Sequence, residues 1–206
     1  MLLSGMVLLQ AVADRIVGRY LASLPGTEVI PVAERHSLGG RGVDLVYVVQ
    51  GEQRSVKVKP DVYFGSDHAK IADRSLSLYR EDAGGCALQA VADSPNRDPG
   101  WILTSDADEI FYYYLAIAQP EDQVRALLTE PDEIFFSQLK VERDDLLVLP
   151  MASTRTWFAE NAERYPSRPV ALGEYSAWYR LVSRAEVESA VRGASDRGPI
   201  FGGLVR

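Results

Sequence analysis

Residues 42–61 read GVDLVYVVQGEQRSVKVKPD, and the fold turns on this stretch. Val43 to Val49 and Arg54 to Lys59 are rich in β-branched residues, with Gln50-Gly51-Glu52-Gln53 between them. The pattern predicts a β-hairpin whose return strand is closed by Pro60. In a strand, residues two apart project from one face, about 6.5–7 Å apart. Ser55, Lys57 and Lys59 are therefore expected on one face, with Val56 and Val58 on the other. Asp44 shares its face with Val46 and Val48 on the neighbouring strand. If the register sets Asp44 opposite Lys59, a carboxylate and an ammonium meet on a polar patch. Such a patch can hold a hard metal ion through oxygen ligands and activate a water, with the lysine stabilising developing negative charge. Read without chemistry, the same hairpin is a solvated antiparallel pair with lysines along an exposed face.

Working outward, residues 2–22 carry apolar side chains at Leu9, Val12, Ala13, Ile16 and Tyr20, a helical face ended by Pro25-Gly26. Thr27 to Ala33 reads as a short strand, and 34–41 as a polar, glycine-rich loop. After an irregular polar stretch over 61–73, a short helix reaches about residue 80. Cys86 to Ala92 is a strand and 93–100 a loop. Ser105-Asp106-Ala107-Asp108 reads as a helix start giving one turn that runs into a buried strand over Phe111 to Leu115. Helices are expected over 121–128, 150–165 and 184–191, and strands over 146–149 and 178–182. The order of elements predicts an α/β fold, one domain over 1–206 with a mixed β-sheet flanked by helices. Its core spans about 5–192. The apolar, glycine-rich tail 193–206 is expected to dock on its own domain rather than on a partner.

A chain of 206 residues, 47% apolar and 25% charged, suits one globular α/β domain. The single cysteine, Cys86, allows no internal disulfide, which fits a reducing compartment. The opening MLLSGMVLLQAVA mimics a secretory leader. No Lys or Arg precedes Arg15, however, and the helical face runs through the supposed cleavage point. No run approaches the roughly 20 apolar residues of a membrane span, so a cytoplasmic protein without a membrane partner is expected. A net charge of −7 and a pI near 4.9 argue against tight autonomous DNA binding, while leaving room for a local basic groove.

Other constellations are thinner. His36 and His68, the latter beside Asp67, lack zinc spacing. Gly39-Gly40-Arg41-Gly42 lacks the Lys-Ser/Thr of a phosphate-binding loop. The run Phe111 to Tyr114 suits base stacking, although a buried strand explains it better. Arg35, Arg41, Arg54, Lys57, Lys59 and Lys70 make the N-terminal half locally basic, which suits phosphate or balances Glu28, Glu34 and Glu52.

The hairpin resembles the PD-(D/E)XK nuclease-like superfamily, with its aspartate-bearing strand followed by an acidic-X-lysine strand. More loosely, Ala87-Leu88-Gln89-Ala90, then Pro99-Gly100-Trp101 and Ser105-Asp106-Ala107-Asp108, resembles a subgroup pattern. Leu147-Val148-Leu149-Pro150 and Leu181-Val182-Ser183 resemble that subgroup's later strand-helix units. The outline covers roughly 5–192, the specific motif about 20 residues. The resemblance implies a restriction-endonuclease-like fold and a Mg²⁺-dependent DNA nuclease that hydrolyses phosphodiesters. Asp44 would then be the metal-binding aspartate, Lys59 the catalytic lysine, and Gln89 would line the site. Lys57 stands where the second acidic ligand belongs, and a protonated amine cannot ligate a metal. Asp61 swinging in after Pro60, Glu34 from the loop or Asp14 from the first helix would supply the missing carboxylate. The alternative is an impaired member of the same fold that works as a protein- or nucleic-acid-binding module. There Lys57 and Lys59 form an anion-contacting patch, and the acidic remainder meets a protein partner or a second copy.

Overall fold

The computed structural model describes residues 2–30, 42–64, 85–172 and 175–204. The loop with Glu34, Arg35, His36 and Arg41, and the stretch with Asp67, His68, Lys70 and the expected helix to residue 80, lie outside them.

Helix α1 (Leu2–Ser23) buries Val12, Ala13, Ile16, Val17 and Leu21. Their spacings of three to four residues form one apolar stripe, each large side chain contributing about 1.5–3 kcal/mol on burial. The helix stops at Pro25-Gly26, where Gly26 takes φ +70°, a conformation that favours glycine. The chain then enters β1 (Thr27–Ile30), which pairs antiparallel with β2 (Leu45–Val49).

β2 and β3 (Glu52–Phe64) form the expected hairpin, with Val49 opposite Glu52. The turn is the two residues Gln50 and Gly51, both at positive φ (53° and 82°). That geometry suits the twist of paired strands.

β3 does not end at Pro60. It continues to Phe64, pairing parallel with β6 (Glu109–Ile117) from Val56–Glu109 to Phe64–Ile117. Residues 56, 58 and 60 turn their backbone polar groups toward the β2 side, as the bond from Asp44 N to Val56 O shows. β2 has ended before it reaches Pro60, so the N–H that proline lacks is not needed there.

β6 has β3 on one side and antiparallel β7 (Val141–Pro150) on the other, and β10 (Ser195–Gly198) closes the edge beyond β7. Alternation along β6 divides two cores. Phe111, Tyr113, Leu115 and Ile117 pack with α1, Val56, Val58, Leu146 and Val148. Ile110, Tyr112 and Tyr114 pack on the other face with Leu147 and Leu149. The aromatic run is thus a buried central strand.

The second core is covered in part by a separate sheet, which replaces the single mixed sheet expected. β4 (Gly85–Asp93), β5 (Asp98–Pro99), β8 (Ser167–Leu172) and β9 (Tyr175–Ser183) form four antiparallel strands in the order β5-β4-β9-β8. Its residues Cys86, Leu88 and Val182 meet Tyr112, Tyr114 and Leu147 in one apolar cluster. The β4–β9 pair joins residues far apart in the chain, and local periodicity does not specify such a partner. The remaining helices are α2 (Trp101–Thr104), α3 (Glu121–Leu127), α4 (Asp132–Gln138), α5 (Met151–Asn161) and α6 (Arg184–Ala190). The helical turn near Ser105 falls before it rather than after. Ser105 Oγ donates to Gly42 O at 2.8 Å, and Arg155 binds the carbonyls of Ile102 and Ser105 at 3.0 and 2.5 Å. Asp108 is a latch: its carboxylate accepts both Ser55 N and Ser55 Oγ at 2.7 Å.

The tail docks on its own chain. Ile200 and Phe201 join the first core, Phe201 lies 5.9 Å from the Phe136 ring, and its N–H donates to Asp144. Among the described residues no helix is long and apolar enough to cross a membrane.

Candidate functional site

Asp44 sits one residue before β2. Leu45 faces Val56 in an antiparallel register, so Asp44 falls opposite Lys57, not Lys59 as the metal reading required. Lys57 Nζ lies 2.9 Å from Oδ2 of Asp44 and 3.1 Å from Oδ1. Each side chain is only 17% exposed. Oδ2 also accepts the Val58 N–H at 2.8 Å. A charged carboxylate beside an unpaired strand edge thus satisfies both an ammonium and a backbone donor.

α1 completes the edge. Gln10 Nε2 donates to Val58 O at 3.1 Å and to Asp14 Oδ1 at 2.8 Å. The carboxyl of Asp14 is raised from 3.8 to about 7, first by burial and next by the negative charge of Asp44, with Gln10 and Lys57 opposing. Asp14 is therefore the second carboxylate brought toward Asp44. Gln10 went unnoticed in the sequence, although its four-residue spacing from Asp14 was the available signal.

Lys59 and Asp61 stand further along the same face of β3. Burial lowers the Lys59 amine; Lys57 adds to that, while Asp61 and Asp44 oppose it. Burial raises the Asp61 carboxyl, against the pull of Lys59 and Arg143. Because β3 runs straight through Pro60, Asp61 cannot swing back: it pairs with Tyr114, four residues or about 13 Å along the strand from Lys57. Lys57 is engaged by Asp44 and Lys59 lies beside Tyr179 of the second sheet, both half-buried. Glu34 lies outside the described residues.

Gln89 is held on β4 by two bonds: its Oε1 accepts Trp101 N and its Nε2 donates to Tyr179 Oη, both at 3.2 Å. The Lys59 ammonium lies 6.0 Å from the centre of the Tyr179 ring, the outer limit of a cation–π contact. Gln89 and Lys59 thus converge on Tyr179, a residue the sequence did not single out. Gly100 permits this approach, since a Cβ there would fall 2.0 Å from Gln89 O. Tyr112 Oη accepts Ala87 N at 2.8 Å, and Cys86 Sγ lies 3.2 Å from Tyr114 Oη. Burial pushes the Cys86 thiol up to about 12, so this cysteine is no nucleophile at neutral pH.

Among the described residues the donor set around Asp44 does not fit a divalent cation. The Asp44 oxygens are taken by Lys57 and Val58, and the described residues hold no group of three Asp, Glu, His or Cys side chains placed for a metal. A hard cation wants several oxygen ligands and is repelled by an ammonium about 3 Å from the Asp44 carboxylate. The arrangement can instead neutralise a buried edge. No protein-family model, no curated protein and no solved structure matches the chain.

Proposed function

We propose that this chain has a restriction-endonuclease-like core in which an internal ion pair replaces the metal centre, and that it works as a non-catalytic protein-binding module. The observation that carries the reading is the Lys57 ammonium between both oxygens of Asp44. It takes the place of a cation and of the missing acid together. Support for the core comes from the helix, the Asp44 and Lys59 strands, and β6 lying parallel beside β3. A protein rather than DNA is favoured as partner because Lys57 is engaged, Lys59 lies half-buried beside Tyr179 and the net charge is −7.

A Mg²⁺-dependent DNA nuclease requires a carboxylate where Lys57 stands. Cleavage of plasmid and single-stranded DNA with Mg²⁺ or Mn²⁺, run on the native chain, Asp44→Ala and Lys57→Glu, decides between the readings. A silent native chain agrees with the binding module. Metal-dependent cleavage by the native chain that vanishes in Asp44→Ala would reinstate the nuclease.

A further inference from the structure

The sheet β5-β4-β9-β8 has two edges, and they are finished differently. Alternate residues of β9 bond to opposite neighbours: Leu181 N donates to Pro166 O, while Ser176 O accepts Ser94 N. On β4 the same alternation turns the backbone groups of Gly85 and Ala87 away from β9. Tyrosines of β6 take them up. Tyr114 Oη donates to Gly85 O at 3.2 Å, and Ala87 N donates to Tyr112 Oη at 2.8 Å. Further along, β5 pairs with β4 and Gly100 N donates to Ala90 O at 2.9 Å.

β8 ends the order on the other side, and among the described residues no strand pairs with its outer edge. Its backbone groups at Pro166, Arg168 and Val170 turn toward β9, and those at Ser167, Pro169 and Ala171 turn outward. All three outward residues are exposed. The middle one, Pro169, has no N–H to offer. Pro169 stands opposite Trp178, Trp178 opposite Val91, and Val91 opposite Pro99. This apolar row, with Trp178 37% exposed, runs right up to the open edge.

We infer that Pro169 keeps this edge closed to a second copy of the chain. Two β8 strands related by a two-fold axis would pair antiparallel, Ser167 opposite Ala171 and residue 169 opposite itself. Side chains do not oppose that pairing, because Arg168 would meet Val170 rather than another charge. The two apolar rows would continue into one another across the axis. The centre is what fails. Both bonds between the facing residues 169 need an N–H that proline lacks, and its ring fills the space of the partner carbonyl. Without such a block, an open edge templates another strand.

The test is analytical ultracentrifugation of the native chain, Pro169→Thr, Ala171→Pro and the double variant. Threonine restores the outward N–H, and proline at 171 removes a neighbouring one that β9 does not use. Pro169→Thr is expected to add a species of about twice the native mass, with a Kd of about 1–100 μM. The double variant is expected to return to the native mass. Because the restored N–H points away from β9, Pro169→Thr should keep the native circular dichroism and melt within about 4 °C of the native chain. A Pro169→Thr chain that stays at the native mass overturns the inference, as does a double variant that associates equally. Loss of the fold in Pro169→Thr overturns it too, since residue 169 would then face β9. So does native self-association that Ala171→Pro abolishes, because the edge would already be in use.

Discussion

Lys57 Nζ and Asp44 face each other across the β2–β3 pair, 2.9 and 3.1 Å from nitrogen to the two oxygens. The carboxylate also accepts the Val58 N–H. Its two partners make it the less replaceable member of the pair.

Asp44→Ala strands an ammonium and a backbone donor together. The expected loss is about 2–4 kcal/mol, below the full cost of breaking a buried pair because both side chains keep some solvent contact. Lys57→Met leaves Asp44 with the Val58 N–H and should cost about 1–2 kcal/mol. Urea unfolding of the two variants measures this; equal losses would mean that Val58 does not depend on Asp44.

Asp14 gives the protein a pH-dependent stability. With a folded-state value near 7 against 3.8, the folded chain holds a proton that the unfolded chain releases. That contribution is complete below about pH 4, declines as pH rises toward 7 and is gone above it. At about 1.4 kcal/mol per pKa unit the upper bound is about 4 kcal/mol. Asp14→Asn should flatten this part of the stability–pH curve and raise stability at pH 8. A variant with the native slope between pH 4 and 7 would remove Asp14 from the account.

The inward sheet depends on the contact between Gly100 and Gln89. Gly100→Ala puts a Cβ 2.0 Å from a backbone oxygen, and neither β4 nor α2 can yield cheaply. A destabilisation of about 3 kcal/mol or more is expected. Thermal melting checks it, and a change under about 1 kcal/mol would show that β4 shifts freely.

Phe201 tests whether the tail belongs to the fold. It is 7% exposed and touches Phe136, so Phe201→Ala should cost about 2–4 kcal/mol. A neutral result in urea unfolding would make the tail an accessory.

The hairpin, α1 and the buried strand at Phe111 to Tyr114 were legible because periodicity and turn residues act locally. The Asp44–Lys57 pairing was not, since sequence alone left open whether residue 57 or 59 would face Asp44, and one step of register decides it. Pro60 reads as a strand end until the position where β2 stops is known; only then is its missing N–H harmless. β8 and β10 went unread. Ser167 to Leu172 contains Pro169, and Ser195 to Gly198 is polar, so neither shows strand alternation; pairing with β9 and β7 makes them strands. Gln89 entered through the family resemblance alone, and its link to Lys59 runs through Tyr179, about 90 residues away in the chain.

On the proposed reading, the Lys57 ammonium beside Asp44 stands where a metal-binding site would need a carboxylate. Calorimetric titration with Mn²⁺ tests it most directly, using the native chain beside Lys57→Glu. The native protein is expected to show no saturable binding, and Lys57→Glu, with acids on both facing strands, to bind Mn²⁺ and melt at a higher temperature in its presence. Stoichiometric Mn²⁺ binding by the native protein, lost in Asp44→Ala, would instead show that Asp44 holds a metal beside Lys57.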